Sequence, residues 1–160
     1  MANDITNIVI AGLGGQGVLK CSDILSVAAF HAGFDVKKAE VHGMSQRGGS
    51  VSTDVRFGKE VLSPMVPIGE ADYLLILAMD QVEANHHRLR EGGTLICADR
   101  IDENALANKR SLNVALLGML SNHLQIEEPD WIAAIQANLP EKIHQVNLQA
   151  FALGRSAGQE

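Results

Sequence analysis

Cysteine, aromatic residues and basic charge are all scarce in this chain. Its 160 residues hold two cysteines, one tryptophan and one tyrosine, and aromatics make up 4%. Cys21 and Cys97 form no C-x-x-C or C-x-x-C-H spacing, which excludes an iron–sulfur, zinc or haem-attachment pattern carried by this chain alone. Both sit in apolar surroundings, one in a predicted helix and one in a predicted strand. They read as buried thiols in a reducing cytoplasm, not as a disulfide. Thirteen Lys and Arg stand against nineteen Asp and Glu, a net charge of −6. That balance excludes a general nucleic-acid binder, whose affinity rests on basic phosphate contacts. No stretch approaches the ~20 apolar residues of a membrane helix. Met-Ala-Asn-Asp at the start has no basic region leading into a hydrophobic run, so no signal peptide is expected. Any membrane contact would come through a partner. Also missing are the G-x-S-x-G elbow, H-E-x-x-H and the P-loop lysine. His86 and His87 are adjacent and point to different sides of a helix, which reads as an exposed pair. His31 and His42 are isolated. The expectation is no catalytic residue and no metal site in this chain.

Glycine, in contrast, is plentiful and clustered, with fifteen residues. Ile8-Val9-Ile10-Ala11 runs into Gly12-Leu13-Gly14-Gly15-Gln16-Gly17 and then into an amphipathic segment. This is the pattern of a buried strand, a tight turn and a helix N-terminus. Gly12, Gly14 and Gly17 fit G-x-G-x-x-G, where the glycines permit a sharp turn, backbone approach to a ligand, and close helix–strand packing. The helix start adds unpaired N–H groups and a positive dipole end, which favour an anion.

Residues 6–11 predict a central strand, and Val18, Cys21, Leu25, Ala28 and Ala32 follow helical spacing as far as Gly33. Asp35–Val41 gives a second strand, so the first 41 residues form a right-handed βαβ unit. Residues 50–57 alternate strictly, with Val51, Thr53, Val55 and Phe57 on one face and Ser50, Ser52, Asp54 and Arg56 on the other. That predicts an antiparallel strand near an edge with one wet face, followed by a hairpin turn at 57–61. Pro64 and Pro67 rule out a central strand between them. Ala71–Met79 is a buried strand ending at Asp80. A helix over Val82–Leu89 should stop at Gly92-Gly93, with Thr94–Ala98 as the next strand. Val114, Leu117, Leu120 and Leu124 predict a helix, and Pro129 and Pro140 each begin another. From Gly154 the tail should fray. With no repeat or linker, residues 1–160 are expected to form one domain. Its fold class is α/β: a Rossmann-like three-layer sandwich, mainly parallel, with an antiparallel hairpin near one edge.

Ligands in such sheets gather at the carboxyl ends of the strands. A second glycine loop, His42-Gly43-Met44-Ser45-Gln46-Arg47-Gly48-Gly49, should open onto the same edge as the first, joined by Asp80. The candidate ligand-binding residues are therefore Gly12, Gly14, Gly15, Gln16, Gly17, Ser45, Gln46, Arg47, Gly48 and Gly49. Arg47 suits carboxylate or phosphate recognition, the structural alternative being an ion pair with Glu40 or Asp54. A nucleotide-binding regulatory module is a second reading, but NAD binding needs an acid about 20 residues after the glycines, at the end of the second strand. Asp35 has the separation but precedes that strand, and Glu40 ends it but comes late.

Taken together, the two loops (Gly12-x-Gly14-Gly15-Gln16-Gly17 and Ser45-Gln46-Arg47-Gly48-Gly49-Ser50) resemble those of the gamma subunit of 2-oxoacid:ferredoxin oxidoreductases, and within them the small (beta) subunit of the indolepyruvate enzymes. Similarity continues through Pro64–Pro67, Ala71-Asp72-Tyr73, Asn113–Gly118 and Pro140-Glu141-Lys142 to Gly154. The resemblance implies a subunit inactive alone. The holoenzyme would decarboxylate a 2-oxoacid such as indolepyruvate or pyruvate on thiamine diphosphate, pass electrons through [4Fe–4S] clusters to ferredoxin, and deliver the acyl group to coenzyme A. Thiamine diphosphate and the clusters would belong to large partner subunits, and this chain alone would bind no cofactor. In isolation it could form a homodimer through its uncovered apolar interface. The resemblance also implies an extra strand and helix near residues 99–112, for which this chain has little room.

Overall fold

The computed structural model describes residues 4–42 and 49–160. Five strands and five helices follow one another among them: β1 (Thr6–Leu13), α1 (Val18–His31), β2 (Asp35–His42), β3 (Ser50–Gly58), β4 (Ala71–Ile76), α2 (Val82–Asn85), β5 (Leu89–Cys97), α3 (Leu112–Ser121), α4 (Glu128–Asn138) and α5 (His144–Ala157), with short 3-10 turns between. The sheet order is β2-β3-β1-β4-β5. β1, β4 and β5 run parallel, while β3 is antiparallel to both β1 and β2. The mainly parallel sheet with an antiparallel hairpin at one edge is thus formed.

That hairpin is β2–β3, however, not a turn at 57–61. Gly58 ends β3 beneath the start of the chain, where a Cβ would lie 2.7 Å from Asp4 O. Beyond it, Val61 N donates to the Asp35 carboxylate at 2.8 Å instead of to a neighbouring strand. β3 also lies between β1 and β2, so the β1–α1–β2 crossover spans an inserted strand.

The two sheet faces are covered unequally. Ile8 and Ile10 of β1, with Val55, Phe57, Leu75 and Ile96, face a layer built from α1, α3, α4 and α5. Trp131 of α4 packs on Phe151 of α5 there, ring centres 5.5 Å apart. On the other face Val9, Ala11, Leu74 and Ile76 cluster with Ala71, Cys97 and Leu95 of the sheet, and among the described residues the cover over them is Val66, Val82 and Leu89. The third layer is thin.

The polar side of β3 is wet only in part: Ser50 is exposed and Ser52 and Arg56 are half-buried, but Asp54 is covered where residues 61–70 cross over it. Asp54 is 0% exposed. Its carboxylate accepts from Arg88 Nη2 at 2.7 and 2.8 Å and from Val66 N at 2.9 Å. Arg56 Nη1 donates to Ser63 O, and Asn7 Nδ2 to Glu70 O. Alternation therefore marked the face correctly, but Asp54 and Arg56 on it hold chain backbone at Val66 and Ser63.

Two other expectations change. Only Val82–Asn85 is α-helical, and Gly92-Gly93 lies inside β5. Gly92 takes φ 77°, and the β4–β5 register shifts between Ala71 and Tyr73, as a bulge on a glycine does. The tail does not fray at Gly154 either, because α5 continues to Ala157. The cause is close helix packing. A Cβ on Gly118 of α3 would strike Phe151 O, and one on Gly154 of α5 would strike Ala115 O. With α5 pressed on one side and the sheet on the other, α3 is buried from Asn113 to Ser121.

Gly154→Ala tests this contact. Helix propensity alone would stabilise by about 1 kcal/mol, whereas forcing a methyl into packed backbone costs about 1–3 kcal/mol or more. A lowered urea midpoint is expected; a raised one would show that α3 and α5 are not in backbone contact.

Candidate functional site

The site forms where β1 and β4 end side by side. Leu77 N donates to Ala11 O at 2.9 Å, carrying the parallel ladder one step past β4. Gly15 and Gly17 turn the chain with φ of 90° and 80°. Gln16 then folds back over the turn: its Oε1 accepts from Leu13 N at 2.7 Å, and its Nε2 donates to Leu77 O at 3.4 Å. This fold-back is what demands Gly12, since a Cβ there would lie 2.8 Å from Gln16 Oε1. Gln16 thus supports the loop from beneath as a structural clamp.

Gly17 caps α1 and has two constraints. Its φ is left-handed, and Asn113 Nδ2 occupies the place a Cβ would take, donating to Gly17 O at 3.1 Å. Asn113 is buried at the start of α3, and its carbonyl accepts from Cys21 Sγ at 3.7 Å. Gly15 differs. It is exposed, and no described residue lies within 4 Å of where its Cβ would be. Among the described residues no side chain caps α1, and no acid lies in its first turn, so none of them offsets the positive end of its dipole.

Of the second glycine stretch, Gly49 meets the first loop: Gly14 N donates to Gly49 O at 2.9 Å, one step beyond the β1–β3 ladder. Ser45, Gln46, Arg47 and Gly48 lie outside the described residues. Asp54, an alternative partner for Arg47, gives both its oxygens to Arg88. Asp80 is exposed in the turn after β4 and does not line the cavity beside the glycines. That cavity, of about 470 Å³, is walled by Gly15, Gln16, Gly17, Leu77 and Leu112, with Glu103, Lys109 and Arg110 as its charged groups. The two cations escaped sequence reasoning. Their signal was a basic pair immediately before a helix, the wrong sign for that helix's own dipole and so better explained by an outside anion.

An NAD-type arrangement does not form. β3 separates β2 from the glycine turn by two strand spacings, about 10 Å. Asp35 is already engaged: the Val61 N–H, then Lys37, hold its carboxyl below the usual carboxylate range. Redox chemistry by the cysteines is equally remote, for burial pushes both the Cys21 and the Cys97 thiols up. Among the described residues no group of His, Cys, Asp or Glu could hold a metal ion, and no helix is long and apolar enough to cross a membrane.

The two positive-φ glycines separate conformational from steric cost. Gly15→Ala should lose about 1–2 kcal/mol, the cost of a left-handed non-glycine residue. Gly17→Ala should lose clearly more, because Asn113 must also move. Equal shifts in denaturation midpoint would mean that Asn113 does not press on the loop.

Residues 7–157 match the family described as pyruvate ferredoxin/flavodoxin oxidoreductase. The chain is 35% identical to indolepyruvate oxidoreductase subunit IorB of Thermococcus kodakarensis over 196 aligned positions, covering 96% of each chain. Since 96% of 160 residues is about 154, about forty of those positions have no counterpart here, a shortfall the size of a strand and a helix. The fold matches the gamma subunit of a keto/oxoacid ferredoxin oxidoreductase from Geobacter sulfurreducens, with TM-score 0.80 at 21% identity and 97% of each chain covered. It also matches 2-oxoglutarate:ferredoxin oxidoreductase from Magnetococcus marinus, with TM-score 0.83 at 20% identity, over 97% of this chain and 31% of that one. The chain belongs to the pyruvate ferredoxin/flavodoxin oxidoreductase family, as a small subunit of the 2-oxoacid:ferredoxin oxidoreductase kind.

Proposed function

We propose that this chain works in the cytoplasm with a larger subunit that carries thiamine diphosphate and [4Fe–4S] clusters, and that its glycine loops close a site shared with that subunit. The assembled enzyme converts a 2-oxoacid, an aryl one such as indolepyruvate or a simpler one such as pyruvate, to acyl-CoA and carbon dioxide while reducing ferredoxin. The observation that carries this reading is the match to a small oxidoreductase subunit along nearly the whole chain. An iron–sulfur cluster does not suit this chain's donors, because its two cysteines, Cys21 and Cys97, are buried in separate elements, α1 and β5.

Coenzyme A suits the cavity better. The exposed Gly15, the start of α1 and the Lys109 and Arg110 side chains that line the cavity offer an anion backbone N–H groups and two cations, the combination that holds phosphates. Coenzyme A, when bound, supplies the thiol that accepts the acyl group. This chain's part is to hold the phosphate end and exclude water around it. Glu103 is the one acid on that wall among the described residues. Arg47, from the second loop, contacts the bound substrate or coenzyme A.

In the assembled enzyme, Lys109→Ala with Arg110→Ala should raise the KM for coenzyme A about tenfold or more, the loss of one or two charge-assisted contacts, and leave the KM for the 2-oxoacid unchanged. Arg47→Ala should impair turnover without releasing the chain from its partner. If the double variant keeps its coenzyme A dependence, the phosphate end is held elsewhere; unchanged kinetics in Arg47→Ala would remove that residue from the site.

A further inference from the structure

We infer that residues 61–70 form the surface on which the larger subunit docks; this rests on the subunit reading above. Along Val61-Leu62-Ser63-Pro64-Met65-Val66-Pro67-Ile68 there is no charged residue, in a chain that is 20% charged. Val61 and Val66 turn inward and are buried, while Leu62 is 86% exposed, Met65 55% and Ile68 77%. At roughly 150–200 Å² for each fully exposed side chain, these fractions come to about 400 Å², about half of the ~800 Å² each partner contributes to a standard interface. Large apolar side chains without charge are the composition of an interface centre.

The segment is also fixed in place, which separates it from an ordinary surface loop. Three side chains rising from the sheet hold three of its backbone atoms: Asp54 takes Val66 N, Arg56 gives to Ser63 O, and Asn7 gives to Glu70 O. Arg88 clamps the Asp54 carboxylate from the other side. The ordering entropy of this apolar display is therefore met on folding, before any partner arrives. It lies on the face where the sheet has only a thin covering, whereas parallel strands call for cover on both faces.

A larger subunit suits this surface better than a second copy. Exposed Glu70 ends the segment, and each copy carries −6. A two-fold pairing sets like charge against like charge, while a larger partner can meet it with a basic rim.

The test uses the full chain and the larger subunit of the same enzyme, mixed and measured by sedimentation and biolayer interferometry. Leu62→Ser, Met65→Ser and Ile68→Ser are combined in one variant, with Gln136→Ser and Gln149→Ser on the helical side as the control. Because the three side chains face outward, the variant should keep the urea midpoint of the parent. The expected result is that parent and control bind the larger subunit and the triple variant binds at least tenfold more weakly. Binding by the triple variant within twofold of the parent would overturn this docking surface and leave the subunit reading standing. No binding by the parent would overturn both. A parent homodimer that the triple variant abolishes, with binding to the larger subunit intact, would assign the surface to a second copy and overturn the inference.

Discussion

One side-chain amide fixes the geometry on which the site depends. Gln16 reaches back from the glycine turn to take Leu13 N at the end of β1 and to donate to Leu77 O just past β4. That single group ties the turn to two adjacent parallel strands, and it can do so only because Gly12 leaves the space open. The helix that follows then starts where the strands stop, with its uncapped end facing the cavity. Asn113 completes the arrangement from α3 by filling the place above Gly17. The loop is thus held from below by Gln16 and from the side by Asn113, while Gly15 is exposed. A rigid loop of this kind presents its N–H groups to an anion without first having to order itself.

The sheet divides the molecule by function. On one face the helices form a closed core, tightened where the backbones of α3 and α5 touch through Gly118 and Gly154. On the other, a buried Asp54 and its arginine hold an irregular segment in place of a helical layer. Such an ion pair contributes little net stability against an apolar substitute, though losing one partner costs about 3–5 kcal/mol. Its value here is geometric, since it holds the backbone of 61–70 at one height above the sheet.

Much of this was legible in the sequence. The strand–glycine–helix start, the alternation of β3 and the prolines opening α4 and preceding α5 each rest on a local rule, and each was realised. What could not be read depended on distant partners. The polar residues of β3 look solvent-facing until Ser63 and Val66 come over them. Gly154 looks like the start of a loose tail until Ala115 lies against it. Gln16 carries no signal that it bonds backwards to its own strand, and Lys109 and Arg110 reach the glycine turn only because α3 packs beside α1. The insertion of β3 between β1 and β2 had no local mark either. It removes the neighbouring position from which a nucleotide-binding acid would act, and so decides between two readings of the same glycines.

The central claim is that this chain completes an active site it does not itself contain. The most direct test is anaerobic reconstitution of the purified larger subunit with increasing amounts of this chain, following ferredoxin reduction with indolepyruvate or pyruvate and coenzyme A. The account predicts negligible turnover by either protein alone and activity that rises to a plateau at a fixed stoichiometry. Full turnover by the larger subunit without this chain would contradict it.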